Sequence, residues 1–174
     1  MIITIIGPRS VGKSTIAEIL AKELNYKHIN LDRFMEMKLG DIGKYTVKHT
    51  WEKWYKKREK FLDTLLRTKD NVIIDWSGGL EFGSNLLKKR TKVILLLPNS
   101  NYFKGIQTLY KRERKREHFK WWKSKVLKDK TKTDFYERLP LMKKTAHITI
   151  YRNKETPKNT ALRIIKIINH KLLS

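Results

Sequence analysis

Apolar positions along the chain follow two alternating periods. Ile2–Ile6 is a continuous β-branched run, the pattern of a strand buried on both faces. From Ser14 to Leu24 the period becomes helical, with Ile16, Ile19, Leu20 and Leu24 on one face. Lys27–Asn30 reads as a short second strand. Trp51–Arg67 reads as a helix whose apolar stripe is Trp51, Trp54, Tyr55, Phe61, Leu62 and Leu65. Val72–Asp75 is a third strand, closed by a turn at Ser77-Gly78-Gly79. Val93–Leu97 is the most apolar strand and ends at Pro98. A long basic helical region follows over about Tyr102–Lys128, then a helix over Phe135–Lys144, a strand over His147–Tyr151 and a last helix over Asn159–Leu172. Repeated strand-then-helix predicts a three-layer α/β fold with a five-stranded parallel sheet. Residues 39–50 carry no clear pattern, and nothing reads as a linker or a repeat, so one domain over residues 1–174 is expected.

Composition narrows the classes. Apolar residues make up 40% and charged residues 33%, a globular balance. Val93–Leu97 is the longest aliphatic run, too short to cross a membrane. The apolar N-terminus has no basic start and runs straight into a Gly-rich loop, so it reads as a core strand and not a signal peptide. Without cysteine there is no disulfide framework and no thiolate metal site. A cytoplasmic monomer is the expectation. Forty Lys and Arg face seventeen Asp and Glu, a formal charge of +23. Such a field suits polyanions, nucleic acid included. It also suits simple compositional drift, which the predominance of Lys favours, at 29 of the 40 basic residues.

The chemistry begins at Gly7-Pro8-Arg9-Ser10-Val11-Gly12-Lys13-Ser14, which fits G-x-x-x-x-G-K-S between a buried strand and an amphipathic helix. Glycines let the backbone curl round a phosphate with its N–H groups inward, and the helix N-terminus adds positive partial charge. Lys13 is expected on the β- and γ-phosphates of ATP, and Ser14 on Mg²⁺. Gly7, Ser10, Val11, Gly12 and Thr15 complete the expected cradle. A phosphotransferase is implied.

From these residues the chain resembles shikimate kinase, within the nucleoside-monophosphate-kinase-like group of P-loop kinases. The likeness is close over Ile2–Asp32, including Leu20-Ala21-Lys22-Glu23-Leu24 and Ile29-Asn30-Leu31-Asp32. It is close again at Phe135-Tyr136-Glu137-Arg138-x-Pro140-Leu141 and Ala146-His147-Ile148. Between them, Glu52-x-x-Tyr55-Lys56-x-x-Glu59 resembles the family's E-x-x-F-R-x-x-E. The resemblance implies that Asp32 holds the acceptor hydroxyl and that Arg138 grips a substrate carboxylate. It also implies that Lys56 adds a weaker acceptor contact and that Gly78 and Gly79 offer main-chain N–H groups. Asp32 also suits the cap of a following helix, but its place at a strand end near the cradle favours the functional role.

Four positions depart from the family. Asn30 stands where the first of two acids separated by one residue is usual, Lys56 replaces an arginine, Ser77 replaces a glycine, and the lid lacks its R-P-L signature. Asp75, closing the apolar strand Val72-Ile73-Ile74, has the Walker-B pattern and is expected to hold Mg²⁺ in place of Asn30. The lid is expected over about 102–132, with twelve basic residues between Lys104 and Lys132. Within it Arg112 is expected at the nucleotide and Arg116 over the transferring phosphoryl group, with Arg152 also at the nucleotide. The expected activity is transfer of the γ-phosphoryl group of Mg·ATP to a hydroxyl of a small acceptor. The alternative is a nucleic-acid or nucleotide kinase whose basic lid holds a polyanionic acceptor.

Overall fold

The computed structural model describes residues 1–76, 84–116 and 123–172. In chain order it contains β1 (Ile2–Ile6), α1 (Lys13–Leu24), β2 (Lys27–Asn30), α2 (Leu31–Leu39), α3 (Ile42–Lys48), α4 (Trp51–Leu65) and β3 (Val72–Asp75). There follow α5 (Ser84–Arg90), β4 (Lys92–Leu97), α6 (Tyr102–Glu113), α7 (Ser124–Thr145), β5 (Ile148–Tyr151) and α8 (Pro157–Leu172). The strands form one sheet in the order β2-β3-β1-β4-β5, every neighbouring pair parallel. The three central strands are buried on both faces, which requires helices above and below. Helix α1 packs on α8 and β3, whereas α7 packs on α5, α6 and β4. Among the described residues no helix is long and apolar enough to cross a membrane.

The fold class is the expected one, and so are the bounds of β1, β2 and β3. β4 and β5 each differ by one residue at their start, and the larger differences lie in the helices. Residues 39–50 contain α3, and Ser84–Arg90 forms α5. The continuous basic helix expected over Tyr102–Lys128 does not form: α6 ends at Glu113 and α7 starts at Ser124. The helix expected over Phe135–Lys144 is the second half of α7. Its buried positions Leu127, Thr131, Phe135, Leu139 and Met142 continue one face at helical spacing. Only Thr131 bridges Leu127 and Phe135 on that face, so the surrounding charges mask the stripe in sequence. The first part of the expected lid is thus core structure, with Ile106, Leu109 and Glu113 of α6 buried.

The strand order places the loop after β1 at the carboxyl edge of the sheet, between β3 and β4. This is where strands leave β1 in opposite directions and where open α/β sheets bind ligands.

Candidate active site

The loop after β1 is shaped by three residues with positive φ: Gly7 at 152°, Ser10 at 62° and Gly12 at 101°. A side chain at Gly7 would collide with the Leu96 carbonyl oxygen, so the loop lies against β4 only because position 7 is glycine. Gly12 is the N-cap of α1 and has no side chain to occupy the helix start. Two arginines hold the loop's outer carbonyls. Arg152, just after β5, donates from Nη1 to Val11 O at 2.7 Å and from Nη2 to Glu155 O at 3.0 Å. Arg112, on α6, donates to Ser10 O and Val11 O, both at 3.2 Å. Burial, and then the neighbouring Arg112, pull Arg152 below its ordinary pKa. Both arginines line a cleft of about 540 Å³ with Asn99, Gln107, Thr108 and Lys154.

Lys13 is buried and donates to Gly7 O at 3.0 Å and Pro8 O at 2.9 Å. Burial lowers its pKa to about 8, against the attraction of Asp75 and Asp32; Arg116 and Arg9 lower it further. Asp32, Asp75 and Arg116 therefore all lie within electrostatic reach of the Lys13 ammonium. Ser14 and Thr15 are exposed at the first turn of α1. The Ser14 hydroxyl accepts from Asn30 Nδ2 at 3.4 Å.

Asn30 and Asp75 are register partners on adjacent strands, and Asn30 Nδ2 donates to Asp75 Oδ2 at 3.1 Å. Asn30 is also the N-cap of α2, its Oδ1 accepting from Arg33 N at 2.8 Å. Asp32 is consequently not the cap. It sits in the first turn of α2, and burial raises its pKa against the opposing pull of Arg58 and Lys13.

The cation beside Asp32 is Arg58 and not Lys56. Arg58 is 2% exposed; its Nη1 reaches Asp32 Oδ1 at 3.3 Å, and its guanidinium stacks 4.4 Å from the Trp76 ring centre. Lys56 is exposed and paired with Glu52 at 2.8 Å, one turn back on α4. The reason is helical geometry. Trp54, Arg58 and Leu62 recur every four residues on the buried face, and position 56 lies about 200° away from 54 and 58. An arginine within the apolar stripe was the signal available in the sequence. His28, whose Nε2 meets Asp75 Oδ2 at 3.3 Å, carried no such signal.

Arg138 of α7 is half-buried, lining a cavity of about 20 Å³ with Pro8, Arg9, Glu113, Asp134 and Phe135. It therefore flanks the cradle from the α7 side. The described contacts do not join it to Asp32. Gly78 and Gly79 lie outside the described residues.

The donor set suits a polyphosphate. Among the described residues, three buried side-chain polar atoms lack a partner, and two of them, Ser10 Oγ and Arg152 Nε, are at the cradle.

The family profile of shikimate kinase matches residues 9–169. The chain belongs to the shikimate kinase family. It is an ATP-dependent kinase. A shikimate kinase of Hahella chejuensis is 26% identical over 168 residues, covering 95% of this chain and 85% of that one. One of Mannheimia succiniciproducens is 28% identical over 174 residues, covering 97% and 95%. The solved shikimate kinase of Acinetobacter baumannii, in complex with shikimate, superposes with a TM-score of 0.81 at 23% identity over 99% of this chain and 95% of that one. That of Bacteroides thetaiotaomicron gives 0.84 at 17% identity over 97% and 98%. These two structures share the fold of this shikimate kinase family member.

Proposed function

We propose that this kinase phosphorylates a hydroxyl of shikimate or a closely related hydroxy-acid. The observation that carries this reading is the Asp32–Arg58 pair beside the buried Lys13 of the cradle. A carboxylate next to the γ-phosphate can orient an alcohol and take its proton. Arg58 opposes the burial that raises the Asp32 pKa and so favours the ionised carboxylate.

In the proposed reaction ATP lies in the cleft between Arg112 and Arg152, with its phosphates on the N–H groups of the loop from Gly7 to Thr15. Lys13 leaves the carbonyls of Gly7 and Pro8 for the β- and γ-phosphates. The acceptor oxygen bonds to the γ-phosphorus as the bond to the β,γ-bridging oxygen breaks. The hydroxyl proton passes to Asp32 and ADP departs. Arg116 neutralises the charge that develops on the equatorial oxygens. Arg138 receives the acceptor's carboxylate, and Gly78 and Gly79 supply main-chain donors. Ser14 and Asp75 would hold Mg²⁺, which would offset the negative charge of the phosphates. Asp75 would fit this role because both of its described hydrogen bonds end on Oδ2, which leaves Oδ1 without a described partner. The protein acts as one cytoplasmic domain and as a monomer.

Kinship with shikimate kinases favours a small acceptor over the nucleic-acid or nucleotide alternative. The test is coupled ADP release with a panel of shikimate, related hydroxy-acids, nucleosides and a 5′-hydroxyl oligonucleotide. Shikimate or a near relative should turn over, and Asp32→Asn should abolish transfer while ATP still binds. Turnover confined to the oligonucleotide would sink the reading.

A further inference from the structure

Asp75 is a carboxylate that the fold buries, with its side chain 3% exposed. A buried carboxylate stays ionised only where hydrogen-bond donors and cations replace water. Two donors come from one face of β2. Residues 28 and 30 point to the same side of the sheet, because side chains alternate along a strand. In the parallel register His28 is opposite Ile73 and Asn30 is opposite Asp75, so the two β2 side chains converge on the Asp75 carboxylate.

In the tautomer protonated at Nε2, His28 donates to Asp75 Oδ2 at 3.3 Å. The Asn30 amide has its oxygen committed to Arg33 N in the cap of α2, which turns Nδ2 toward Asp75. That Nδ2 also lies 3.4 Å from the Ser14 hydroxyl, so Asn30 divides its donation. His28 makes no second described side-chain bond. It is the donor dedicated to Asp75.

We infer that His28 is a positioning residue for the metal. It holds Asp75 Oδ2, so that Oδ1 stays in place for the hydrated cation that accompanies the nucleotide. This inference rests on the assignment of Asp75 to the metal made above. Outer hydrogen-bond partners of metal-binding carboxylates and imidazoles commonly govern affinity, and their loss typically costs about 10–100-fold. Without His28, Asp75 would retain only the shared Asn30 donor and could rotate away.

The experiment uses the full chain saturated with ADP and titrated with Mn²⁺, with free Mn²⁺ read by its electron paramagnetic resonance signal. His28→Leu should weaken Mn²⁺ binding by about tenfold. His28→Gln, whose amide nitrogen can take the place of Nε2, should restore it to within about threefold of the original. ADP affinity measured in EDTA should be the same in all variants, which separates loss of the metal from loss of the nucleotide site. Asp75→Asn is run alongside. If Asp75→Asn leaves Mn²⁺ affinity unchanged, the metal assignment itself fails. If Asp75→Asn weakens it and His28→Leu does not, the role of His28 alone fails. Equal weakening in His28→Leu and His28→Gln would overturn the hydrogen-bond mechanism. Should His28→Leu not fold, His28→Asn, whose shorter amide falls short of Asp75, takes its place with the same expectations.

Discussion

Lys13 shows how far a single side chain can be read. Its position after Gly12 marks it for phosphate, and the structure adds that it is buried on the carbonyls of Gly7 and Pro8 with its pKa lowered to about 8. Burying that ammonium costs stability, so Lys13→Met should leave the thermal midpoint unchanged or higher. Turnover should fall by about 10²-fold or more, as for other lost electrostatic donors. Near-normal turnover in the purified variant would remove Lys13 from the mechanism. Arg58 makes the complementary case. It opposes the burial that raises the pKa of Asp32. Arg58→Met should therefore push that pKa higher, so that the acid limb of the kcat/KM profile moves to higher pH. An unmoved limb would mean that Asp32 does not titrate in the reaction, or that Arg58 does not act on it.

Elements behave less independently than residues. Strands β4 and β5 meet at His147, whose Nδ1 accepts from Val93 N at 3.0 Å. Burial, with Lys92 and Lys88 nearby, lowers the His147 pKa below its ordinary 6.5. The sign follows from linkage. Below about pH 6.5 the unfolded chain takes up this proton before the folded one, so stability falls with pH. The loss levels off once the folded imidazole is also protonated. His147→Asn keeps an acceptor for Val93 and removes the titration. Urea midpoints between about pH 5 and 7 should then vary less steeply than in the original chain, by well under one proton because His147 lies at the surface. Identical slopes would show that this contact has no pH linkage. Helix α7 carries a second lesson at this scale. Its stripe from Leu127 to Met142 is interrupted by charge often enough that only the packed helix reveals it.

The whole molecule carries +23, and the charge invites a polyanion as partner. Kinship with shikimate kinases and the small Asp32–Arg58 site point elsewhere. A protein that neutralises several phosphates loses affinity steeply with salt, by orders of magnitude between about 50 and 200 mM. The acceptor KM should instead change by no more than about threefold across that range, since one carboxylate contact releases few counterions. A steep loss would mean that the basic surface takes part in acceptor binding.

The cradle was legible from sequence because it is local. Eight contiguous residues set its backbone, and the glycines at 7 and 12 declare the positive φ angles that the loop requires. The same locality made β1, β2 and β3 readable, since a short apolar run needs only its own side chains to be recognised. The proposed acceptor and metal neighbourhoods are different in kind. Nothing in the sequence states that β2 lies beside β3, so the convergence of His28 and Asn30 on Asp75 exists only once the strands are ordered. The resemblance implied an acceptor contact for Lys56; in the fold Lys56 pairs with Glu52 on the exposed side of α4, while the buried Trp54–Leu62 face brings Arg58 to Asp32. Contacts between neighbours in sequence follow from local backbone geometry. Contacts between β2, β3 and α4 follow from how separate elements bury their apolar faces together, and only the tertiary structure decides that.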